Sequence, residues 1–215
     1  MSAPDRILFD LDNTLYSARY GLEERVSRRI RTFLARHFGI SEEEAWKKRK
    51  ACIKTYGTTL EWLVTEEGFR DVESYFAFIH PGDEAEGLIP EPGLREFLEG
   101  LRLPLAILTN SPEEHAGRIL KKLGIEDLFD PVVDIRRNNF SGKPRPEVYL
   151  RTLKLLGAAP GKTLFVDDNP SYTEGFLKIG GMALLLDEFD AHREYPFPRI
   201  RKLPELTAFI RAEGE

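Results

Sequence analysis

The sequence predicts an α/β fold, a doubly wound parallel sheet with an inserted all-helical domain, and two observations carry that prediction. In the second half of the chain, short apolar runs alternate with helical stretches, the pattern of βαβ units whose parallel sheet is covered on both faces. Before them, residues 18–79 show helical spacing alone, and the acidic, Gly- and Pro-rich stretch 80–93 follows as a boundary. We therefore expect a core domain built from residues 1–16 and 90–215, with a helical domain over 17–89 between the two parts.

The first elements follow from apolar runs and their spacing. Residues 7–9 are a continuous apolar run of the kind found inside parallel sheets, so we expect the opening strand over 6–9. Ser41, with Glu44 three residues later, predicts a capping box at the start of the second helix. The helices expected in this half begin at Leu22, Ser41, Thr58 and Asp71.

The later elements alternate. Ser111 is expected to cap the helix that follows the second strand, and Gly124 to end it. The stretch 194–203 is expected to be a surface loop and 203–215 a closing helix. The remaining strands are expected over 103–110, 131–135, 163–168 and 182–187, and the helices between them over 93–101, 111–124, 147–157 and 170–180.

Composition narrows the class of protein. The chain has 215 residues, of which 41% are hydrophobic and 31% charged, as in ordinary globular proteins. The net charge of −5 argues against binding a nucleic acid polymer, which needs a basic face. The apolar runs are too short to span a bilayer, and the acidic N-terminus does not resemble a signal peptide. A single cysteine, Cys52, makes no internal disulfide, so we expect a cytoplasmic protein, monomeric or homodimeric.

Polar clusters fall at the carboxyl ends of three expected strands, where open parallel sheets bind ligands. Several carboxylates at one edge repel each other unless a cation lies between them, and oxygen ligands without His or Cys suit Mg²⁺. The sequence therefore predicts a magnesium site there. The clusters are Asp10, Asp12 and Thr14; Thr109, Asn110 and Ser111; and Asp167, Asp168 and Asn169.

A positive charge is expected at the same edge. Lys143 lies in a loop that follows a strand of the sheet, and Pro144 and Pro146 disfavour helix around it. Its ammonium group would neutralise part of the carboxylate charge and could hold an anionic substrate.

Four stretches in this order, "DLDNT", "LTNS", "GKPRP" and "FVDDN", resemble the four motifs of haloacid dehalogenase-superfamily phosphatases. The resemblance covers nearly the whole chain and implies a Rossmann-like core with a helical cap. Further stretches, among them "YGTTLEWL" and "HAGRILKKLGIEDLFD", are similar to the pyrimidine 5′-nucleotidase branch. One departure is Tyr172, where relatives often carry Asn, and it bears on the side chains that support the metal ligands.

The resemblance implies roles for individual residues. Asp10 would be the nucleophile that forms an aspartyl phosphate, and Asp12 would be the general acid and base, a task that suits a carboxyl of raised pKa. The phosphate ligands would be Thr109, Asn110 and Lys143, and the Mg²⁺ ligands would be Asp10, Asp12 through its carbonyl, Asp167 and Asp168.

The choice of substrate is expected to lie in the cap, with Tyr20 and Tyr56 as candidate contacts. The branch resemblance implies a nucleoside 5′-monophosphate, with pyrimidines preferred. Two alternatives stay open: a phosphatase or phosphomutase for another small metabolite such as phosphoglycolate or a sugar phosphate, and a non-enzymatic phosphate-binding protein. His115, near the phosphate end of its helix, is expected to have a surface or capping role.

Overall fold

The computed structural model describes residues 3–212 as an α/β fold around one six-stranded sheet. The strands are β1 (Arg6–Phe9), β2 (Leu105–Leu108), β3 (Val132–Val133), β4 (Thr163–Asp167), β5 (Met182–Leu186) and β6 (Arg199–Ile200). Their order in the sheet is β3-β2-β1-β4-β5-β6, and every neighbouring pair is parallel. The predicted fold class is therefore confirmed.

In the described chain, α-helices lie in every connection between consecutive strands except the one from β5 to β6, and the segment between β1 and β2 holds five of them. The predicted capping box is present, since the Ser41 side chain accepts from the backbone N–H of Glu44 and the Glu44 side chain accepts from that of Ser41. The α-helices are α1 (Leu22–Phe38), α2 (Glu42–Tyr56), α3 (Thr59–Thr65), α4 (Val72–Ile79), α5 (Leu94–Gly100), α6 (Glu113–Leu123), α7 (Pro146–Leu156), α8 (Pro170–Lys178) and α9 (Leu206–Ala212).

The sheet is covered on both faces, which explains the continuous apolar runs of its strands. Side chains alternate along β1, so Ile7 and Phe9 pack into one apolar cluster while Leu8 packs into another on the opposite face. A third apolar cluster joins the helices between β1 and β2, with Trp62 and Leu34 fully buried in it. Residues 18–80, all of which the structure describes, contain no strand, as expected. The domain boundaries at 17 and 90 stay a prediction.

The topology sets where a site can form. β1 lies between β2 and β4. The chain adds β2 and β3 on one side of β1, and then crosses to the other side to add β4, β5 and β6. This is a switch point, the place where ligands bind just beyond the carboxyl ends of the strands. Within residues 3–212, none of the helices has the length and apolarity needed to cross a membrane.

Two local expectations were wrong. The stretch 194–203 contains β6, which pairs with the end of β5 at the sheet edge; a two-residue strand has no apolar period to reveal it. Ser111 does not cap α6, because Pro112 occupies the cap position and the Ser111 hydroxyl is bonded to Asp12 instead. The closing helix begins at Leu206, and residues 213–215 of the expected helix lie outside the described part.

Candidate active site

A cavity of about 440 Å³ opens at the carboxyl ends of the central strands. Loops after β1, β2 and β4 deliver most of the predicted polar residues to it, and the first turns of α1 contribute Leu22, Glu23 and Val26. In the described part of the chain, Lys143 is the one lysine or arginine among the lining residues, against four carboxylates. These carboxylates belong to Asp10, Asp12, Glu23 and Asp168.

Lys143 joins two of the predicted carboxylates beneath the cavity. Its Nζ donates to Oδ1 of Asp10 at 2.6 Å and to Oδ2 of Asp167 at 2.7 Å. The Lys143 residue is only 1% exposed, so its charge is fully removed from water and depends on these partners. The two carboxylates hold the pKa of Lys143 above its ordinary value despite its burial.

The loop that carries Lys143 is fixed by Asn110. The Asn110 side chain accepts from the Lys143 backbone N–H at 2.8 Å and donates to its carbonyl at 3.3 Å. Gly142 is required beside it, because a Cβ there would collide with Thr58 and Asn110. Tyr172, the departure noted in the sequence, places its ring 4.9 Å from Nζ of Lys143 and its hydroxyl within hydrogen-bond reach of the Asn110 amide. Tyr172 therefore supports the lysine loop.

Asp10, Asp167 and Asp168 form an acid cluster, with carboxylate oxygens that lie within 4.8 Å of one another. Burial and repulsion from Asp167 raise the pKa of Asp168 to about 9, and burial, only partly offset by Lys143, raises that of Asp10 to about 8. One lysine does not balance three clustered carboxyls. Their oxygens, with no imidazole or thiol among them, fit a hard divalent cation such as Mg²⁺.

Asp12 lies in an opposite environment. Its Oδ1 accepts from the Tyr16 hydroxyl at 2.6 Å and lies 2.7 Å from Nε2 of His115, while its Oδ2 accepts from the Ser111 hydroxyl at 2.9 Å. Burial alone would raise its pKa, but the charge and hydrogen bond of His115 outweigh it and hold the pKa of Asp12 well below its usual range. The expectation of a raised pKa for Asp12 was therefore wrong.

Sequence reasoning missed the group behind Asp12. His115 is 1% exposed, not a surface residue, and its Nδ1 lies 2.8 Å from Oε1 of Glu84. Glu84 also pairs with His80 and Arg118. His80 and Glu84 lie in the stretch interpreted as a linker, where the one available signal was a His and a Glu four residues apart.

The predicted cap contacts are not brought to the cavity. The Tyr56 hydroxyl donates to Glu66 and the Tyr20 hydroxyl to the carbonyl of Ile89, and neither side chain lines the cavity. Both aromatic rings serve packing. Thr109 and Asn110, the predicted phosphate ligands, do line it, and the Thr109 hydroxyl accepts from the backbone N–H of Ser111 at 3.0 Å.

Comparison with known proteins places this chain in a family. A model described as haloacid dehalogenase-like hydrolase matches residues 4–180. Phosphate metabolism protein 8 of Saccharomyces cerevisiae is 29% identical over 187 residues, which are 80% of this chain but 58% of the yeast protein. The chain therefore spans little more than half of that relative.

Two bacterial relatives match over more of their own length. Hexitol phosphatase A of Escherichia coli is 30% identical over 173 residues, 76% of this chain and 74% of the relative. Phosphoglycolate phosphatase of Shigella dysenteriae is 27% identical over 188 residues, 76% of this chain and 73% of the relative.

Solved structures agree in fold. A HAD phosphatase from Thermococcus onnurineus superposes with a TM-score of 0.66 at 26% identity, covering 100% of both chains. The HAD-hydrolase YfnB of Bacillus subtilis, described as bound to magnesium, superposes with a TM-score of 0.64 at 18% identity, covering 98% of this chain and 100% of that one. The second likeness shows the fold alone.

Proposed function

The chain belongs to the haloacid dehalogenase-like hydrolases, and from this premise we propose that it is a Mg²⁺-dependent phosphomonoester hydrolase acting through an aspartyl phosphate. The observation that supports the proposal is the pair Asp10 and Asp12. Both face one cavity, but Asp10 is paired with Lys143 and Asp12 with His115. A phosphate-binding protein without catalysis needs one cationic pocket. It does not need two carboxylates set apart in this way.

Asp10 is the proposed nucleophile. One of its carboxylate oxygens attacks the phosphorus, the ester P–O bond breaks, and the phosphoryl group is transferred to Asp10. Lys143 holds Asp10 in place through Oδ1 and supplies positive charge beneath the phosphate. Asp10, Asp167, Asp168 and the carbonyl of Asp12 would hold Mg²⁺, which, when bound, offsets the repulsion between nucleophile and phosphate.

Asp12 is the proposed proton carrier. A phosphate dianion bound beside it raises its pKa, because like charges disfavour ionisation, and so loads it with the proton that the leaving alkoxide needs. The carboxylate then takes a proton from the water that attacks the phosphorus of the acyl phosphate. That step releases inorganic phosphate and restores Asp10.

For the substrate we propose a sugar or polyol phosphate. Glu23 supports this choice, because it lines the cavity in the first turn of α1 and accepts from the Asn13 amide at 2.7 Å. A carboxylate there accepts hydroxyl groups and repels a second anionic group such as the carboxylate of phosphoglycolate. The pyrimidine nucleotide interpretation loses its structural basis, since Tyr20 and Tyr56 lie away from the cavity.

The test is a comparison of kcat/KM over hexitol phosphates, sugar phosphates, phosphoglycolate and pyrimidine nucleoside monophosphates. We expect Mg²⁺-dependent release of phosphate, fastest from the polyol or sugar phosphates. Chelation should abolish it and Ca²⁺ should inhibit it, because Ca²⁺ takes more ligands at longer distances. Preference for a nucleotide would overturn the substrate proposal, and full activity after exhaustive chelation would overturn the metal assignment.

Glu23→Gln and Glu24→Gln form a matched pair for the substrate proposal. Both are exposed acids of the first turn of α1, but Glu24 does not line the cavity. Glu23→Gln should raise kcat/KM for phosphoglycolate relative to a hexitol phosphate by roughly fivefold, the effect of about 1 kcal/mol between charges in water. Glu24→Gln should leave that ratio as in the parent.

A further inference from the structure

The buried residues His80, Glu84 and His115 and the half-buried Arg118 form a group beside Asp12 that the mechanism above does not use; we call it the Glu84 group. Glu84 is at its centre. Its Oε1 accepts from Nη2 of Arg118 at 2.6 Å, and its Oε2 lies 2.9 Å from Nδ1 of His80. The Glu84 side chain is only 2% exposed, so these contacts replace its hydration.

His115 connects this group to the site. Its Nε2 lies 2.7 Å from Asp12 and its Nδ1 lies 2.8 Å from Glu84, although the second N–H is not aligned for a good hydrogen bond. A carboxylate only accepts, so a ring between two carboxylates carries a proton on each nitrogen. The His80 ring packs at a centroid distance of 4.3 Å and limits rotation of the His115 ring from its side.

The same three side chains His80, Glu84 and His115 offer ligand atoms close enough for a metal ion. The guanidinium of Arg118, however, lies 2.6 Å from Glu84 and also donates to the His80 carbonyl at 3.0 Å. The guanidinium therefore already neutralises the one carboxylate that would balance the charge of a metal ion. The geometry therefore favours a hydrogen-bonded and ion-paired support over a metal site.

The support reaches both oxygens of Asp12. His115 and the Tyr16 hydroxyl hold Oδ1, while the Ser111 hydroxyl holds Oδ2, so rotation of the carboxylate breaks at least one contact. Tyr16 and Ser111 come from the loops after β1 and β2, next to the site. Glu84 comes from farther away, from the segment 80–84 through which the chain returns from α4 toward the sheet.

We propose that Glu84 acts through His115 as a positioning residue that fixes the carboxylate of Asp12 for proton transfer. This inference rests on the proposed function, because it concerns the acid and base of that reaction. It adds that the return segment 80–84, outside the four sequence motifs, takes part in the chemistry through Glu84, which does not itself line the cavity.

Positioning of an acid has a kinetic signature. Transfer of the phosphoryl group from an alkyl ester needs a proton for the leaving alkoxide, whereas nitrophenolate leaves without one. A displaced Asp12 therefore slows phosphorylation of Asp10 by alkyl phosphates and leaves phosphorylation by 4-nitrophenyl phosphate nearly unchanged. A merely structural defect slows both.

The experiment measures phosphoenzyme formation in Glu84→Gln and His115→Gln by rapid mixing, acid quench and intact-protein mass. Gln at 84 keeps a partner for Arg118 but loses the charge facing His115, and Gln at 115 keeps one donor for Asp12 but cannot reach Glu84. We expect phosphorylation by the best alkyl substrate to fall by about ten- to a hundredfold, the scale for partners that orient a functional group. KM and phosphorylation by nitrophenyl phosphate should stay within about threefold of the parent.

Asp134→Asn is the matched control. Asp134 is another buried carboxylate that contacts α6, since it accepts from the backbone N–H of Glu113 at 3.1 Å, but it does not contact Asp12. Its variant should keep the alkyl-to-aryl ratio of the parent whatever it does to the melting temperature. If both Gln variants keep that ratio while the parent hydrolyses phosphomonoesters, the positioning role is wrong. A parent without phosphomonoesterase activity would instead refute the proposed function.

Discussion

Asp10 and Asp12 are two residues apart in sequence and lie in regions of opposite electrostatic character. Around Asp10 there are too many carboxyls for one lysine, and its pKa rises to about 8 because burial outweighs the charge of Lys143. Around Asp12 there is a surplus of donors, and its pKa falls even though it is buried. In the proposed reaction one loop therefore supplies a metal ligand and a proton carrier two residues apart, and the partners of each carboxylate, not its residue type, distinguish the two roles.

The largest expected effect tests the Asp10 side. Asp10→Asn removes the nucleophile while it keeps the shape of the side chain, so turnover should fall on the order of 10⁶-fold, as when a protease loses its nucleophile. Intact-protein mass after brief mixing and acid quench should show no added phosphoryl group. An added phosphoryl group on the Asp10→Asn variant would mean that another residue is the nucleophile.

The next effect tests the Asp12 side. Asp12→Asn should lower turnover of alkyl phosphates by about 10²–10⁴-fold, because the leaving alkoxide and the attacking water both lose their proton partner. With 4-nitrophenyl phosphate, the first step should persist and acyl phosphate should accumulate on Asp10, detectable by the same mass measurement. Parent-like turnover of both ester types would contradict the assigned role.

A stability measurement tests the charge balance on the Asp10 side. Lys143→Met should lower the free energy of unfolding by about 3–5 kcal/mol in metal-free urea denaturation, because two buried carboxylates lose their ion-pair partner. Lys121→Met, on an exposed position of α6, should change it by less than about 0.5 kcal/mol. Equal effects of the two variants would show that Lys143 does not compensate the acid cluster.

The smallest effect is a pH dependence. Carboxyls whose folded pKa is raised stabilise the fold when protonated, and this stabilisation is lost as pH rises through about 8 for Asp10 and about 9 for Asp168. Mg²⁺ binds the deprotonated form, so the increase in melting temperature that Mg²⁺ causes should grow between pH 6 and pH 9. At about a hundredfold excess over Kd, the gain is about 2.7 kcal/mol.

The difference between the melting temperatures measured with and without Mg²⁺ reports on the acid cluster alone. His115 also loses stabilisation toward high pH, since Asp12 and Glu84 raise its pKa to about 10 against its burial, but that loss is common to both scans. Asp168→Asn should reduce the pH dependence of the Mg²⁺ effect. A Mg²⁺ effect that is constant from pH 6 to pH 9 would contradict the raised pKa values.

The sequence predicted the Asp10 side far better than the Asp12 side, for a physical reason. Asp10, Lys143 and Asp167 stand at the ends of strands or in a stiffened loop, and strand ends converge at a known edge of a parallel sheet. Each could be placed from local pattern and topology. Glu84 and His115 meet only because an irregular return segment packs on α6, and no periodicity reports that contact.

Other misses have the same origin. β6 forms because it pairs with the end of β5, and its own two residues do not predict it. The Tyr56 hydroxyl is bonded to Glu66, and its side chain does not line the cavity. Composition predicted an acidic, Gly- and Pro-rich boundary at 80–93 but could not show that one of its acids, Glu84, is buried. Contacts between separate elements decided each case, and such contacts leave no signature in the residue pattern of either element.

The place of Glu84 in the chain governs how this protein can be recombined with its relatives. A chimera that exchanges residues 17–89, the boundaries that composition suggests, would discard His80 and Glu84 with the helices and leave His115 facing an unmatched neighbour. A crossover placed ahead of His80 carries both residues with the retained sheet and keeps the contacts to His115 and Arg118. A chimera designed to change the substrate pocket while it keeps the proposed support of Asp12 should therefore join the foreign segment before residue 80.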